Sequence, residues 1–104
     1  MKDKFNYREL DKIIHSPVRL GIMSALISTD EVDFKFLKDK LGLSDGNLSA
    51  NMTKLEEAGF ITVRKFFAEN KPKTVYRLTE TGRKAFRGYV ENLEKIIKEN
   101  FSSK

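Results

Sequence analysis

Residues 34–60, FKFLKDKLGLSDGNLSANMTKLEEAGF, decide the fold. Apolar residues recur in this stretch at helical spacing in two runs, and Gly42, a residue type that commonly ends helices, separates the runs. Ser44 follows as the N-cap of the second helix, and Gly59 closes that helix. The apolar positions are Phe34, Leu37 and Leu41 in the first run and Leu48, Met52 and Leu55 in the second. Two helices joined by a turn of about three or four residues containing glycine form a helix-turn-helix, which we predict at about residues 34–59.

A β-hairpin is predicted directly after this motif. The alternation of residues from Ile61 to Phe67 has roughly the period of a strand, and residues 74–78 return as a second strand. The polar residues at 68–73 predict the turn, with Pro72 outside both strands, where its missing N–H has no effect. The hairpin as a whole spans about residues 61–78.

Helices are also predicted towards both ends of the chain. Ser16 caps and Pro17 begins a helix that ends near Ser28, and an earlier helical pattern covers about residues 4–14. Residues 32–34 can form a very short strand. Thr79 caps a final helix at about residues 80–101, which is about 33 Å long at 1.5 Å per residue.

The apolar stripe of the final helix is longer than one small domain can cover. Its residues recur every three or four positions, as in a seam between two helices. We therefore expect a homodimer, in which the N-terminal segment with Phe5 also takes part. The alternative is a last helix that folds back over its own core, with a frayed end. The residues expected at the dimer interface are Leu10, Ile13, Ile14, Phe86, Tyr89, Val90, Leu93, Ile96, Ile97 and Phe101.

The net charge of +5 is concentrated in one third of the chain. Residues 59–87 carry eight Lys or Arg side chains against only Glu69 and Glu80, whereas the segments before and after are nearly neutral. Such a concentration is the electrostatic pattern of a protein that binds a polyanion, usually nucleic acid. A basic surface that only keeps the protein in solution is the alternative.

Composition excludes several classes of protein. A chain of 104 residues has room for one domain. Without cysteine, and with His15 as its one histidine, it offers no disulfide, no thiolate metal site and no nucleophile–base pair, so we expect neither an enzyme nor a cofactor or metal site. His15 is interpreted as a surface or hinge residue. No apolar run approaches the length of a membrane helix and no signal peptide is evident, so no membrane partner and a cytoplasmic location are expected.

The order of these elements resembles the winged helix-turn-helix domains of small ArsR- and MarR-like transcriptional regulators. Three stretches carry the resemblance: HSPVRL at 15–20, DGNLS with LEEAGFI at 45–49 and 55–61, and YRLTETGR at 76–83. The likeness covers about residues 10–97. It implies an α+β fold, mostly α with a small β-hairpin, in a single domain over residues 1–104 that ends in a long dimerisation helix. Metal sensing as in ArsR-type proteins requires cysteine-rich sites, which this chain lacks.

The resemblance implies a homodimer that recognises a palindromic double-stranded DNA operator, with a recognition helix at about 45–58 in the major groove and the hairpin as a basic wing on the backbone or minor groove. Small and amide side chains let a helix enter the groove, where Asn can bond adenine bidentately and Lys can reach guanine or phosphate. A small-molecule effector is possible, but no residue identifies one. The residues predicted to contact DNA are Ser44, Gly46, Asn47, Ser49, Ala50, Asn51 and Lys54 on the helix and Arg64, Lys65, Lys71, Lys73 and Arg77 on the wing.

Some alternatives remain open at the level of sequence. Arg64 and Arg77 could instead be paired on the surface of the sheet. Phe66 and Phe67 are interpreted as packing residues at the root of the wing, with a base-stacking platform as the alternative. Gly46 either lets DNA approach closely or is tolerated in a first helical turn. The alternative function is a winged-helix module that binds a protein or RNA without reading a DNA sequence.

Overall fold

The computed structural model describes residues 10–101 and shows a winged helix fold within them. Four helices and one three-stranded antiparallel sheet make up this part of the chain. The predicted helix-turn-helix, hairpin and long final helix are confirmed. The elements are α1 (Pro17–Ile27), β1 (Val32–Asp33), α2 (Phe34–Leu41), α3 (Asp45–Glu57), β2 (Ile61–Ala68), β3 (Lys71–Leu78) and α4 (Glu80–Phe101).

The helices begin and end where their terminal backbone groups find partners. The Ser16 and Ser44 side chains each accept a hydrogen bond from a backbone N–H in the first turn of the helix that follows. Gly42 and Gly59 take left-handed conformations, with φ of +66° and +80°, which glycine adopts without steric cost. Beyond Gly59, the Phe60 N–H donates to the Leu55 carbonyl at 3.0 Å, which completes the end of α3.

The hairpin is tighter than predicted, because only two residues form its turn. Ala68 pairs with Lys71, and Glu69 and Asn70 between them both have positive φ, as a two-residue hairpin turn requires. The prediction that Pro72 lies outside both strands is therefore wrong, since Pro72 belongs to β3. It is tolerated there because β1 pairs only with the middle of β3, so the tip of the wing has two strands.

The segment before α1 also differs from the prediction. The described part of the predicted helix at about 4–14 is a turn, while residues 4–9 and Phe5 among them lie outside the described residues. The Asp11 carboxylate accepts hydrogen bonds from the Ile13 N–H at 2.8 Å and the Ile14 N–H at 3.1 Å. A side chain that bonds its own local backbone in this way competes with helix formation.

The hydrophobic core lies between α1, α2 and α3, with the sheet and the start of α4 closing it. The inward direction predicted for Leu48, Met52 and Leu55 is confirmed, since at most 3% of each is exposed. Ile14 and Tyr89, predicted to contact a second copy, are instead 0% and 4% exposed in the core of the chain itself. The turn at Asp11 directs Ile14 inward, and Tyr89 lies on the side of α4 that faces the core.

The start of α4 is fastened to the end of α3. The Thr79 hydroxyl donates to the Gly59 carbonyl at 2.7 Å and accepts from the Gly82 N–H at 2.9 Å. The Thr79 N–H donates to the Phe60 carbonyl, also at 2.9 Å. These three hydrogen bonds fix the direction in which α4 leaves the domain. None of the helices described between residues 10 and 101 is long and apolar enough to cross a membrane.

Candidate nucleic-acid interface

The outer side of α3 is a polar surface made of small side chains. Its inner side carries the buried Leu48, Met52 and Leu55. Ser44, at the start of the helix, is exposed and uses its oxygen to accept from the Asn47 N–H at 3.1 Å. Exposed along the outer side are Gly46, Asn47, Ser49, Ala50, Thr53 and Lys54. With small side chains at 46, 49 and 50, the backbone of α3 can come close to a partner.

Asn51 differs from its neighbours because its amide is already bonded within the protein. Its Oδ1 accepts from Arg19 Nη1 at 2.7 Å, so α1 and α3 are joined through this side chain. Its Nδ2 donates to the carbonyl and to Oδ1 of Asn47, at 2.9 and 2.8 Å. The predicted base contact of Asn51 would have to compete with these bonds. The sequence analysis missed Arg19, because the spacing of residues within α1 does not indicate a hydrogen-bond partner on α3.

The wing has one basic side chain on the face that looks towards α3. The strand register places Lys65 on the same face as Val63 and Phe67. Lys65 lines a groove of about 410 Å³ together with Ser49 and Thr53 of α3. Lys65 and Lys71 are exposed, and neither forms an ion pair with another described residue. These two ammonium groups are therefore available to a polyanion.

On the opposite face of the wing, two of the four basic side chains described there have a carboxylate partner. Arg64 lies 3.1 Å from the Glu31 carboxylate, which bears out the alternative interpretation of Arg64. Lys73 lies 3.4 Å from Asp33, and Arg77 Nε donates to the Asp30 carbonyl at 3.4 Å. Because both ion pairs are partly exposed to solvent, each contributes little stability, and the basic side chain can exchange its carboxylate for a phosphate.

The two adjacent phenylalanines of β2 have different surroundings. Phe66 is half-buried, with the Arg64 guanidinium carbon 4.4 Å from the centre of its ring, so it stacks on a neighbouring side chain of the same strand. Phe67 is 76% exposed, so the packing interpretation is wrong for Phe67. In the described part of the chain, no other element covers the Phe67 ring.

An ion pair spans the turn of the helix-turn-helix. Lys38 Nζ in the last turn of α2 lies 2.9 Å from Asp45 Oδ1 in the first turn of α3. The hydrogen bond to Asp45 and the charge of that carboxylate raise the pKa of Lys38. Asp45 also interacts favourably with the positive end of the α3 dipole. A phosphate approaching this helix end therefore meets a carboxylate that Lys38 has partly neutralised.

His15 connects the segment before α1 to α4. Its Nδ1 lies 2.8 Å from the Tyr89 hydroxyl, and the two rings are tilted with their centres 5.9 Å apart. His15 is itself exposed, in agreement with its interpretation as a surface residue. Within residues 10–101, no group of three or more His, Asp or Glu side chains is arranged to hold a metal ion.

Comparison with known proteins identifies relatives over most of the chain. The family model for the winged helix DNA-binding domain matches residues 18–97. An uncharacterized protein of Methanocaldococcus jannaschii is 38% identical over 87 residues, which cover 84% of this chain and 95% of that protein.

Solved structures of transcriptional regulators share the fold. A transcriptional regulator homologue from Pyrococcus horikoshii has a TM-score of 0.83 at 30% identity, over 95% of this chain and 97% of its own. The transcriptional repressor BigR from Xylella fastidiosa has a TM-score of 0.63 at 26% identity, over 89% and 83% of the two chains. The structural neighbours are MarR- and ArsR-type regulators rather than enzymes, so the resemblance predicted from the sequence is confirmed.

Proposed function

The chain belongs to the winged helix DNA-binding domain family, and from this premise we propose that it is a homodimeric transcriptional regulator that recognises a specific double-stranded DNA sequence. In this proposal α3 enters the major groove, and the wing follows the neighbouring backbone or minor groove. The observation that carries the proposal is the outer side of α3, where Gly46, Asn47, Ala50 and Lys54 are exposed while the other side of the helix is buried in the core. A helix with small and amide side chains on its free side suits the major groove.

The wing supplies affinity in this proposal rather than sequence preference. Lys65 and Lys71 contact phosphates directly, because no carboxylate of the described chain competes for them. Arg64 and Lys73 contribute after exchanging their carboxylate partners for phosphates. Arg77, which among the described residues has only a long bond to a carbonyl, contacts a phosphate directly.

The dimer forms through one face of α4. Residues at spacings of four, three, four and four, Phe86, Val90, Leu93, Ile97 and Phe101, follow a single stripe along this helix. Ile97 and Phe101 are 56% and 77% exposed, which leaves the outer half of the stripe uncovered within one chain. Ile96 lies nearer the face of Tyr89, whereas Leu10 and Ile13 are half-buried and stay candidates for the same interface.

A two-fold axis through this stripe relates two copies of α3. Two recognition helices about 34 Å apart reach successive major grooves on one side of the duplex, which corresponds to a palindromic site. The described chain measures 60 × 25 × 21 Å, long enough for α4 to meet a partner away from the DNA-facing side.

Selection of bound fragments from genomic DNA, followed by fluorescence anisotropy on the selected duplex and a scrambled duplex, tests this function. We expect tighter binding to the selected duplex by at least about a thousandfold at physiological salt. Affinity should fall steeply between about 50 and 200 mM salt, as counterions are released on binding. Equal affinity for both duplexes, or preference for a structured RNA, would contradict the proposal.

A further inference from the structure

We propose that Arg19, on α1, determines which base Asn47 reads. Through Asn51, Arg19 holds the Asn47 amide in an orientation that leaves the Asn47 Nδ2 free to bond a base. This inference rests on the proposed function. Arg19 is a positioning residue here, since it acts through Asn51 and touches no base. The preferred base opposite Asn47 is guanine, not the adenine that an unconstrained asparagine favours.

The guanidinium group of Arg19 fixes the orientation of the Asn51 amide. Arginine has only hydrogen-bond donors, so the Asn51 atom 2.7 Å from Arg19 Nη1 is the carbonyl oxygen. The Asn51 nitrogen then points to Asn47 and donates to its backbone carbonyl and to its Oδ1. The Asn47 oxygen is thereby directed at Asn51. Among the described residues, Asn47 Nδ2 donates no hydrogen bond, so both of its N–H groups can bond a partner.

Both ends of this chain of hydrogen bonds are anchored. Arg19 Nε donates to the Ile13 carbonyl, in the turn that precedes α1. The Asn47 N–H donates to the Ser44 hydroxyl at the start of α3. Arg19 and Asn51 are both half-buried, which strengthens the bond between them and limits competition from water there, whereas the bonds to Asn47 are exposed. Rotation of the Asn47 amide would break its bond with Asn51 and set two amide nitrogens, both donors, against each other.

The fixed amide favours particular base edges. Bidentate contact with adenine needs the amide oxygen and nitrogen to face the base together, whereas here the oxygen faces Asn51. Guanine presents two acceptors, O6 and N7, in the major groove, and cytosine presents a donor. An amide that offers N–H groups therefore prefers guanine and disfavours cytosine.

The test compares base preference in three proteins. The wild-type site is first selected from randomised duplexes, and Asn47→Ala identifies the base pair that Asn47 reads. All four bases are then measured there for wild type, Arg19→Met and Asn51→Asp. Arg19→Met should reduce the preference for guanine over adenine by about tenfold, because the amides are free to rotate. Arg87→Met, an exposed arginine on α4, is the control for the lost charge.

Asn51→Asp should change the preferred base rather than weaken the preference. Aspartate keeps the bond with Arg19 but cannot donate, so Asn47 turns its nitrogen towards residue 51 and presents its oxygen. Preference should then move to adenine or cytosine, whose amino groups are donors. Because this variant retains the Arg19 partner, it gives the answer even if Arg19→Met does not fold, which thermal melting monitors.

The outcomes separate this inference from the proposed function. Wild-type selection of a site with guanine at the Asn47 position, altered in both variants, supports the inference. Selection of a site whose base order is unchanged in both variants would overturn the inference and leave the proposed function standing. Selection of no preferred sequence by the wild-type protein would overturn both.

Discussion

The α-carbon of Gly82 lies against the carbonyl group of Phe60, so closely that a Cβ atom at residue 82 would be 2.9 Å from the carbonyl carbon and nearer still to its oxygen. No rotation of a side chain relieves this overlap, because Phe60 contributes backbone atoms. The same carbonyl accepts a hydrogen bond from Thr79, which holds it in place.

Gly82→Ala should therefore destabilise the protein by roughly 1–3 kcal/mol, the usual effect of overpacking. The matched control is Gly88→Ala on the same helix, where an added Cβ meets nothing within 4 Å. That variant should gain up to about 1 kcal/mol, since alanine favours the helix more than glycine does. Urea unfolding at one fixed protein concentration measures both, and equal changes would contradict the close contact at residue 82.

The basic residues of the wing should differ in their effect on DNA binding. Lys65→Ala and Lys71→Ala should each weaken binding to all sequences and reduce the slope of log K against log salt by about 0.9. Lys73→Ala should have a smaller effect, since Lys73 already has a carboxylate partner in Asp33. Lys84→Ala, on the exposed side of α4, is the control for net charge. A slope unchanged by the first two variants would place the wing outside the interface.

The stripe on α4 gives a prediction about the oligomeric state. Val90→Asp with Ile97→Asp should convert a dimer into a monomer of 12.0 kDa in sedimentation equilibrium and weaken binding to DNA strongly. Both side chains are exposed in the single chain, so the protomer should stay folded. Lys95→Asp, on the far side of the helix from the stripe, should leave the dimer intact. A wild-type protein that sediments as a monomer at micromolar concentration would contradict the proposed dimer.

The raised pKa of Tyr76 should make the protein less stable at alkaline pH. Burial of its ring in the sheet, and then the charge of Glu56, raise the pKa of Tyr76 above its usual value of 10.0. The unfolded chain therefore loses this proton first as the pH rises, and the free energy of unfolding decreases above about pH 10. The difference in free energy of unfolding between wild type and Tyr76→Phe should be constant near neutral pH. Above about pH 10 it should change in favour of the variant, which has no phenol to ionise. Parallel stability curves up to about pH 11 would show that Tyr76 titrates normally.

Local signals explain why so much of the fold could be predicted. Ser16, Ser44 and Thr79 each satisfy a helix start by themselves, and Gly42 and Gly59 end helices through their own backbone conformations. The wing turn was harder because Glu69 and Asn70 adopt positive φ without glycine, so the usual mark of a two-residue turn is missing. Proline is rare inside strands, so Pro72 was predicted to lie in the turn. It belongs to β3 at a point where that strand pairs on one side only.

The candidate site could be predicted only in its outline. Periodicity identified the outer side of α3, but the partners of Asn51 and Arg64 lie on other elements, 32 and 33 residues away along the chain. Counting charges within residues 59–87 could not include Glu31 and Asp33, which the sheet brings to the wing. Pairings that depend on tertiary contact leave no periodic pattern in the sequence.

Thr79 and Gly82 join the start of α4 firmly to the end of α3, so a rotation of α4 is passed on to α3. Three hydrogen bonds and a close backbone contact join these two helix ends, so we expect α3 and α4 of one protomer to move together. In the proposed dimer, a change of about 10° in the angle at which the two α4 helices cross would displace a point about 25 Å from the crossing, roughly the distance from Ile97 to the start of α4, by about 4 Å. Such a displacement would change the spacing of the two α3 helices, so that they no longer match successive major grooves. If the proposed dimer forms, we expect DNA affinity to depend on the crossing angle of α4 rather than on bending within a protomer.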